Sequence, residues 1–202
     1  MNSQNIVIIK YNAGNIRSVK NALYHLGVDA VITSDPEKIV KADKVIFPGV
    51  GEALTTMKYL NSSGLSDTIK SLTQPLLGIC LGMQLMGKYS EEGSVDCMGI
   101  FDENINRFQI PADNSLNMKI PHMGWNRIFD IKCDIIPSQL ENEFVYFVHS
   151  YFVPLGVDTA GVTDYFGRFS SVLQKDNFFA TQFHPEKSGI VGQQILKRFI
   201  EL

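Results

Sequence analysis

The segment that decides the fold of this chain is residues 76–84, Leu76-Leu77-Gly78-Ile79-Cys80-Leu81-Gly82-Met83-Gln84. Its first four residues predict a buried strand, and the apolar run after the cysteine predicts the start of a helix. Cys80 has one glycine two positions before it and another two positions after it. In a nucleophile elbow such glycines let neighbouring backbone pass close to a strained turn, which lifts the nucleophile above the sheet edge. The segment therefore predicts a strand, a sharp turn and a helix that present the Cys80 sulfur to solvent.

Around this segment the first half of the chain alternates strand patterns with helical patterns. Such alternation is typical of βαβ units that close a mainly parallel sheet. Asn15 and Ser188 are predicted to cap the helices that follow them, and a short helix is predicted to begin at Asp35-Pro36. The strands are predicted at residues 6–9, 28–32, 45–47, 76–79, 144–148, 170–174 and 178–183. We therefore predict an α/β fold, a doubly wound and mainly parallel sheet flanked by helices, with antiparallel strands in the C-terminal half.

Composition limits the class of protein. The chain has 202 residues, 45% of them apolar, and a formal net charge of −3. This length supports one substantial core, so we predict a single domain over residues 1–202. The charge offers no basic field for nucleic acid, and the longest uncharged stretch, residues 71–87, is too short and too polar to span a membrane. The N-terminal pattern does not resemble a signal peptide, so we expect a cytoplasmic protein.

A second motif offers a base for the cysteine. In Gln182-Phe183-His184-Pro185-Glu186 the proline favours an extended conformation at His184, and residues two apart on an extended chain project to the same side. Glu186 can then hold one ring nitrogen of His184 and aim the other at the nucleophile. We therefore predict a catalytic triad of Cys80, His184 and Glu186.

The three cysteines differ in their surroundings. Cys80 lies at a predicted helix N-terminus, whose partial positive charge favours the thiolate. Cys97 and Cys133 lack the flanking glycines, and free cysteines are among the most buried residues, so we expect both in the core. An odd number of cysteines without a C-x-x-C pair indicates neither a disulfide framework nor a structural metal. Of the remaining histidines, His122 and His149 could either pack or line a site.

These motifs resemble those of the class I glutamine amidotransferases, through the Cys80 elbow and the His184-Pro185-Glu186 pair. The resemblance extends over the whole chain, and the family fold places the nucleophile at the carboxyl edge of a doubly wound sheet. It implies that Cys80 attacks the side-chain amide of L-glutamine and that His184 protonates the departing ammonia. Within the family, the following segments resemble glutaminase subunits of imidazole glycerol phosphate synthase: residues 11–15, Pro48-Gly49-Val50-Gly51, Pro121-His122-Met123-Gly124-Trp125-Asn126 and Tyr146-Phe147-Val148-His149-Ser150-Tyr151.

The resemblance assigns roles to further residues. The Leu81 amide and an amide from Val50 or Gly51 would stabilise the oxyanion. Gly49 and Gly51 would permit the close approach of backbone that this requires. Glu92 would pair with the α-ammonium group of the substrate. The residues expected to recognise glutamine are Gln84, Glu92, His149, Ser150 and Tyr151. No metal or organic cofactor is implied.

The resemblance also implies a partner, a synthase (cyclase) subunit that forms a heterodimer with this chain and uses the ammonia to form imidazole glycerol phosphate in histidine biosynthesis. Lys10-Tyr11-Asn12 replaces the Asp-Tyr-Gly usual in the family, which leaves open a paralogous subunit that feeds a related synthase, for example in surface-sugar biosynthesis.

Two further functions fit the elbow. An α/β-hydrolase or a protease-like member of a related fold also displays its nucleophile on such a turn. A non-catalytic interaction module would retain the fold alone. Because Glu186 follows His184, the chain order argues against the hydrolase. The intact set of Cys80, His184 and Glu186 argues against the module.

The only tryptophan predicts the docking face for the synthase subunit. Trp125 lies among turn residues in the segment 121–126, so we expect Trp125 and Asn126 at the partner interface. The alternative is a buried anchor, because tryptophan is highly buried on average. Lys187 directly follows the triad glutamate and should act at the same interface as a rim charge, which mainly affects the association rate.

Overall fold

The computed structural model describes residues 4–11, 15–110, 112–113 and 117–202, so Asn12 of the unusual first turn lies outside the described residues. The strands are β1 (Ile6–Ile9), β2 (Val31–Thr33), β3 (Lys44–Gly49), β4 (Leu76–Cys80), β5 (Tyr89–Ser90), β6 (Val95–Asp96), β7 (Asn104–Arg107), β8 (His122–Arg127), β9 (Phe144–His149), β10 (Tyr151–Phe152), β11 (Thr159–Asp164), β12 (Arg168–Lys175) and β13 (Phe178–Thr181). Seven of them form the main sheet in the order β11-β12-β13-β4-β3-β1-β2. Its first two pairs, β11–β12 and β12–β13, are antiparallel, and its remaining pairs are parallel.

Helices cover both faces of the main sheet. They are α1 (Ile16–His25), α2 (Pro36–Val40), α3 (Ala53–Ser62), α4 (Leu65–Lys70), α5 (Leu81–Leu85) and α6 (Gly189–Glu201). Because side chains alternate along a strand, β1 directs Ile6 and Ile8 into the core beneath α1 and α6, and it directs Val7 and Ile9 into the core beneath α2 to α5. The predicted doubly wound α/β fold is confirmed. No helix in the described part of the chain is long and apolar enough to cross a membrane.

Three neighbouring parallel strands end at the same edge of the sheet. Gly49 at the end of β3 pairs with Cys80 at the end of β4, and Ile79 pairs with Thr181 at the end of β13. His184 lies three residues beyond that last strand end. Strand register therefore brings together the Cys80 turn, the residues after Gly49 and the segment that carries His184, although they are far apart in sequence.

Two smaller units flank this edge. A four-stranded sheet has the order β10-β7-β5-β6, and the antiparallel ribbon of β8 and β9 pairs His122 with His149 and Trp125 with Tyr146. The ribbon packs on the same side of the main sheet as α1 and α6, through Val145 and Phe147. It therefore forms a wall next to the Cys80 edge.

Several predicted boundaries are wrong. β2 begins at Val31 rather than at residue 28, because the Val28 amide still donates to Leu23 and belongs to the C-terminal turn of α1. β3 continues through Pro48 and Gly49, which pair with the end of β4, so the chain turns only after Gly49. The helix α4 was not predicted.

The side-chain caps predicted at Asn15 and Ser188 are also wrong, although both residues do precede a helix. Neither side chain bonds to the helix backbone. The Asn15 amide donates instead to the Glu186 carboxylate. The Ser188 hydroxyl donates to the His184 carbonyl at 2.7 Å and accepts from the Tyr146 amide at 3.0 Å. Both residues therefore support the turn that carries His184.

The glycines of the elbow have the predicted purpose. A Cβ on Gly82 would collide with the Phe47 carbonyl oxygen of β3, and a Cβ on Gly49 would collide with the backbone amide of Gly82. A Cβ on Gly78 would lie 2.6 Å from the Met86 sulfur. The elbow thus packs directly against β3, and only glycine fits at these contacts.

We expect Gly82→Ala to destabilise the protein, because the added methyl group meets strand backbone that cannot move away. Overpacking costs about 1–3 kcal/mol, and we expect the upper end of this range because the methyl group meets the backbone of β3. The higher helix propensity of alanine offsets about 1 kcal/mol of this cost. Urea denaturation should show a net loss of about 2 kcal/mol in the free energy of unfolding. The control Ser62→Ala, at the exposed end of α3, should change it by less than about 0.5 kcal/mol. Equal stabilities of the two variants would contradict this account.

Candidate active site

Cys80 occupies the strained turn that the sequence predicts. Its backbone has φ 54° and ψ −109°, a positive φ that residues other than glycine rarely adopt. The side chain is less accessible than predicted, because Cys80 is only 7% exposed. The β8–β9 ribbon rises beside it, and the Val148 carbonyl oxygen lies 3.9 Å from the sulfur. The sulfur therefore opens into a cavity and not onto the open surface.

His184 and Glu186 meet as predicted, but by a different local structure. The distance from His184 Nδ1 to Glu186 Oε1 is 2.8 Å, and both side chains are buried. Residues Pro185–Lys187 form a 3-10 turn, so an extended segment does not bring the two groups together. The His184 amide also donates to the Tyr146 carbonyl at 2.9 Å, which ties the turn to β9.

The surroundings of His184 favour its charged form. Burial lowers the pKa of the imidazolium, but the negative charge on Cys80 and the bond to Glu186 outweigh this effect and raise the pKa to about 10. Within the described residues, the buried Nε2 has no nitrogen or oxygen partner. This nitrogen is thus available to the sulfur and to a bound molecule.

The thiols of Cys97 and Cys133 are held in the protonated form by their surroundings. Burial, followed by nearby acidic groups, raises the pKa of the Cys97 thiol to about 12. Burial also raises the pKa of the Cys133 thiol to about 12. Both thiols therefore stay protonated at neutral pH and are poor nucleophiles.

One cavity of about 320 Å³ collects most of the predicted site residues. Five predicted residues do not line it: Gly49, Glu186, Trp125, Asn126 and Lys187. Its lining contains two residues that were not predicted, Pro121 and Val148. The predicted residues that line it are Val50, Gly51, Cys80, Leu81, Gln84, Glu92, His149, Ser150, Tyr151 and His184.

The residues expected to stabilise an oxyanion border this cavity on two sides. Leu81 begins α5 directly after Cys80, and Val50 and Gly51 follow β3. Gly51 has φ 137°, a conformation that favours glycine, but a Cβ there would meet no atom closer than 3.8 Å. The close approach predicted at Gly51 is therefore wrong, and its backbone angle is what requires glycine. The close approach predicted at Gly49 is confirmed.

Glu92 presents a half-buried carboxylate to the cavity. Its Oε2 accepts from the Ala53 amide at 2.9 Å, at the start of α3. Burial raises the pKa of this carboxyl, and the charge of Glu52 adds to the effect. A carboxylate in this position would be stabilised by a cationic group placed in the cavity.

Gln84 connects the cavity to a residue that the sequence analysis missed. The Gln84 amide nitrogen donates to the Tyr151 carbonyl at 3.0 Å and to Gln182 Oε1 at 2.9 Å. The Gln182 amide nitrogen in turn lies 3.8 Å from the Cys80 sulfur. Gln182 stands in the same motif as His184, two residues before it, and that spacing was the signal that could have identified it.

His149 shares its ring nitrogens with the protein. Its Nδ1 lies 2.7 Å from the Tyr151 carbonyl oxygen, which can only accept, so Nδ1 carries the proton. Its Nε2 must then accept from His122 Nδ1 at 3.0 Å, and His122 Nε2 accepts from the Asn126 amide at 3.3 Å. Burial lowers the pKa of His122 to about 4 and that of His149 to about 3. Both rings are thus neutral, and His149 has only its backbone and ring surface left for a ligand.

Tyr11 supports the cavity from behind. Its hydroxyl donates to the Pro48 carbonyl, just before Val50 and Gly51. Burial, followed by the negative charge on Cys80, raises the pKa of the Tyr11 phenol, which keeps its proton for this bond. The sequence motifs assign Tyr11 no role of its own, because its partner Pro48 is 37 residues away in the chain.

Trp125 and Lys187 meet around Tyr146. The Trp125 side chain is 55% exposed, so the alternative of a buried anchor is wrong. The Trp125 and Tyr146 ring centres are 6.1 Å apart, and Lys187 Nζ lies 5.9 Å from the Tyr146 ring centre. Asn126 faces inward, where its amide donates to the Asp164 carbonyl at 3.0 Å as well as to His122. We call Trp125, Tyr146 and Lys187 the tyrosine patch.

The described side chains that line the cavity do not form a metal-binding cluster. Among the residues that the structure describes, no group of three histidine, cysteine, aspartate or glutamate side chains could hold one. The cavity offers the Cys80 sulfur, the charged His184 imidazole that Glu186 orients, and the Glu92 carboxylate.

Comparisons with known proteins identify the relatives of this chain. The family model of the class I glutamine amidotransferases matches residues 7–202. The chain is 60% identical over 197 residues to the imidazole glycerol phosphate synthase subunit HisH of Bacteroides fragilis, covering 98% of this chain and 99% of that protein. It is 41% identical over 200 residues to the same subunit of Escherichia coli, covering 98% and 100%. A solved structure of PurLQS from Thermotoga maritima has a TM-score of 0.69 at 15% identity, covering 98% of both chains, and so shares the fold.

We expect His122 to make the protein less stable in acid. Its pKa falls from 6.5 to about 4 on folding, so between these values the unfolded chain binds a proton that the folded chain does not. The free energy of unfolding is therefore unaffected by protonation of His122 well above pH 6.5, and it decreases as the pH falls below this value. In His122→Phe, which can keep the stacking on Tyr165, the decline in the free energy of unfolding between pH 6.5 and 5 should be smaller by about 2 kcal/mol.

Urea denaturation at several pH values measures this slope. The matched control is Gln109→Phe, which adds the same ring at an exposed position without a titratable group, and its curve should run parallel to that of the wild type. Parallel curves for His122→Phe and the wild type would show that His122 does not carry the acid response.

Proposed function

Because the chain belongs to the class I glutamine amidotransferases and, within them, to the HisH subunits of imidazole glycerol phosphate synthase, we propose that its cavity hydrolyses L-glutamine with a triad of Cys80, His184 and Glu186. The observation that carries the proposal is the buried His184, which Glu186 orients from one side and whose other nitrogen is left to the sulfur. The ammonia passes to a synthase subunit that forms imidazole glycerol phosphate in histidine biosynthesis.

The first half of the reaction forms a thioester. The Cys80 thiolate attacks the side-chain carbonyl carbon of glutamine, and the electron pair of the C=O bond moves onto oxygen. When this tetrahedral intermediate collapses, the C–N bond breaks and His184 Nε2 delivers its proton to the leaving nitrogen. Ammonia departs, and the γ-glutamyl group remains on sulfur.

The second half releases glutamate. His184, now neutral, takes a proton from a water molecule as the oxygen of that water attacks the thioester carbon. The second tetrahedral intermediate expels the thiolate, which restores the charged pair of Cys80 and His184. In both steps the Leu81 amide and an amide of Val50 or Gly51 stabilise the negative oxygen.

Glutamine enters with its α-ammonium group toward Glu92. The half-buried carboxylate gains a cationic partner there, which offsets its desolvation. On the opposite wall Gln84 keeps its carbonyl oxygen for the substrate, because its amide nitrogen is used by Tyr151 and Gln182. Ser150 completes this wall of the cavity.

The competing functions explain less of the structure. The full-length identity of 60% to a HisH subunit favours histidine biosynthesis over a paralogous pathway such as surface-sugar biosynthesis. A non-catalytic module would have no need to bury a charged pair beside a strained cysteine, since both features cost folding free energy.

The partner and the setting complete the proposal. Each of the HisH relatives is by name a subunit of a synthase, so a synthase partner is implied. We place this partner in a heterodimer, on the tyrosine patch, beside the turn that carries His184. We also propose that residues 1–202 form one glutamine amidotransferase domain and that it works in the cytoplasm.

An electrophilic analogue of glutamine tests the nucleophile. A diazoketone analogue should label Cys80 alone, because the thiols of Cys97 and Cys133 are held protonated. Peptide mass spectrometry locates the label. Cys80→Ala should remove glutamine hydrolysis while changing the melting temperature by only a few degrees, and the complex should still use ammonia supplied directly.

The matched control is Cys133→Ala, which should keep both the label on Cys80 and the hydrolysis of glutamine. Hydrolysis by Cys80→Ala at a rate near that of the wild type would refute the proposed nucleophile.

Titration with the synthase subunit tests the tyrosine patch. Because Trp125 is largely exposed, Trp125→Ala should cost less than about 1 kcal/mol of folding stability but about 2 kcal/mol of binding. Lys187→Ala should mainly slow association and reduce its salt dependence. The control is Tyr59→Ala on α3, an exposed aromatic on the other face of the sheet, which should leave the affinity unchanged. An unchanged affinity for both patch variants would place the partner elsewhere.

A further inference from the structure

Gln182 is a buried polar residue beside the nucleophile that the proposed mechanism does not use. Its side chain is fully buried, and its backbone amide is fixed by the Ser171 carbonyl at 2.9 Å, beyond the end of β13. A buried amide side chain costs folding free energy unless its polar atoms are paired. The partners of Gln182 therefore show what the residue does.

The orientation of the Gln182 amide follows from its neighbours. The Tyr151 carbonyl can only accept, so the atom of Gln84 that faces it must be the amide nitrogen. The same nitrogen faces Gln182 at 2.9 Å, and the facing atom of Gln182 must then be its oxygen. The Gln182 amide nitrogen is thereby turned toward the Cys80 sulfur, at 3.8 Å. Among the described residues it has no other acceptor.

The Cys80 sulfur thus has two polar neighbours with opposite preferences. The Val148 carbonyl, 3.9 Å away, can only accept a hydrogen bond, so it favours a sulfur that keeps its proton. The Gln182 amide can only donate toward the sulfur, so it favours the thiolate. If the Gln182 amide were removed, only the Val148 carbonyl of this pair would remain beside the sulfur. That carbonyl disfavours the thiolate.

We propose that Gln182 donates a hydrogen bond to the Cys80 thiolate and so holds the nucleophile in its reactive state before glutamine binds. The inference rests on the proposed function, since it concerns the same nucleophile. The chain from Tyr151 through Gln84 to Gln182 sets the direction of this donor, and both bonds of the Gln182 side chain are buried.

A hydrogen-bond donor to the thiolate and a residue that only packs in the core have different effects when they are replaced. A residue that only fills space would affect folding stability, and its replacement would act equally at all pH values. A donor to the thiolate affects the balance between thiol and thiolate, so its loss is felt at neutral pH and recovered in alkaline solution. The pH dependence of cysteine reactivity separates the two roles.

Alkylation of Cys80 by iodoacetamide at a series of pH values is the test. The reaction joins the thiolate sulfur to carbon and releases iodide, and it requires neither glutamine nor partner. In Gln182→Met, which keeps length but lacks the amide, the midpoint of the alkylation profile should move to higher pH by about one unit. The rate at neutral pH should fall, by at most about tenfold, and recover in alkaline buffer. Glutamine hydrolysis should lose kcat with KM nearly unchanged.

Gln182→Glu provides a second variant that keeps an acceptor for Gln84 and turns a carboxylate oxygen toward the sulfur. Its profile should move to higher pH at least as far, and it decides the matter if Gln182→Met does not fold. The matched control is Gln174→Met, on β12, where Gln174 bonds to Asp134 far from the site. Its profile should coincide with that of the wild type.

The outcomes separate this inference from the proposed function. If wild-type Cys80 is alkylated no faster at neutral pH than Cys97 and Cys133, the proposed nucleophile is wrong. If wild-type Cys80 is selectively alkylated but the folded Gln182 variants share its midpoint, the proposed function stands and the role of Gln182 is refuted.

Discussion

The whole site depends on the parallel register of β3, β4 and β13. Hydrogen bonds between these strands place Gly49, Cys80 and Thr181 at one edge of the sheet, and the residues that follow each strand form the cavity. The spacing is so close that Gly82 must lack a side chain to pass the Phe47 carbonyl. Because strand pairing is cooperative with the two cores on either side of the sheet, the strain at Cys80 is borne by the fold as a whole. Cys80 is thus held in this conformation by the sheet and its two cores and not by its own turn.

Burial then determines the charges at this edge. A buried imidazolium is expensive unless opposite charge lies next to it, and Glu186 with Cys80 supplies that charge to His184. Two neighbouring histidines with no such partner, His122 and His149, are neutral for the same reason. Three buried histidines in one region therefore take two different states. The difference comes from what each ring nitrogen faces, which is a carboxylate for one histidine and a carbonyl, an amide or another ring for the others.

The site and the tyrosine patch share one piece of backbone. The Tyr146 carbonyl accepts from the His184 amide, and the Tyr146 amide donates to the Ser188 hydroxyl, while the ring of the same residue lies between Trp125 and Lys187. A partner bound at the patch would therefore contact the strand that holds the turn carrying His184. The ribbon of β8 and β9 is both a wall of the cavity and an outer surface. Val148 and His149 at the end of β9 line the cavity, and buried and outward-facing residues alternate along the part of β9 before them.

The sequence by itself determined the alternation of strands and helices in the first half, the elbow at Cys80 and the pairing of His184 with Glu186, because these follow from apolar periodicity, glycine spacing and short-range geometry. It did not reveal Gln182 or Tyr11 as neighbours of the site, and it assigned Asn15 and Ser188 to helix caps that they do not form. Polar side chains choose partners across the fold, so their bonds depend on which strands lie side by side. Only the tertiary structure decided these contacts and the ring states of His122 and His149, since burial and hydrogen-bond direction arise from packing between residues that are distant in the chain.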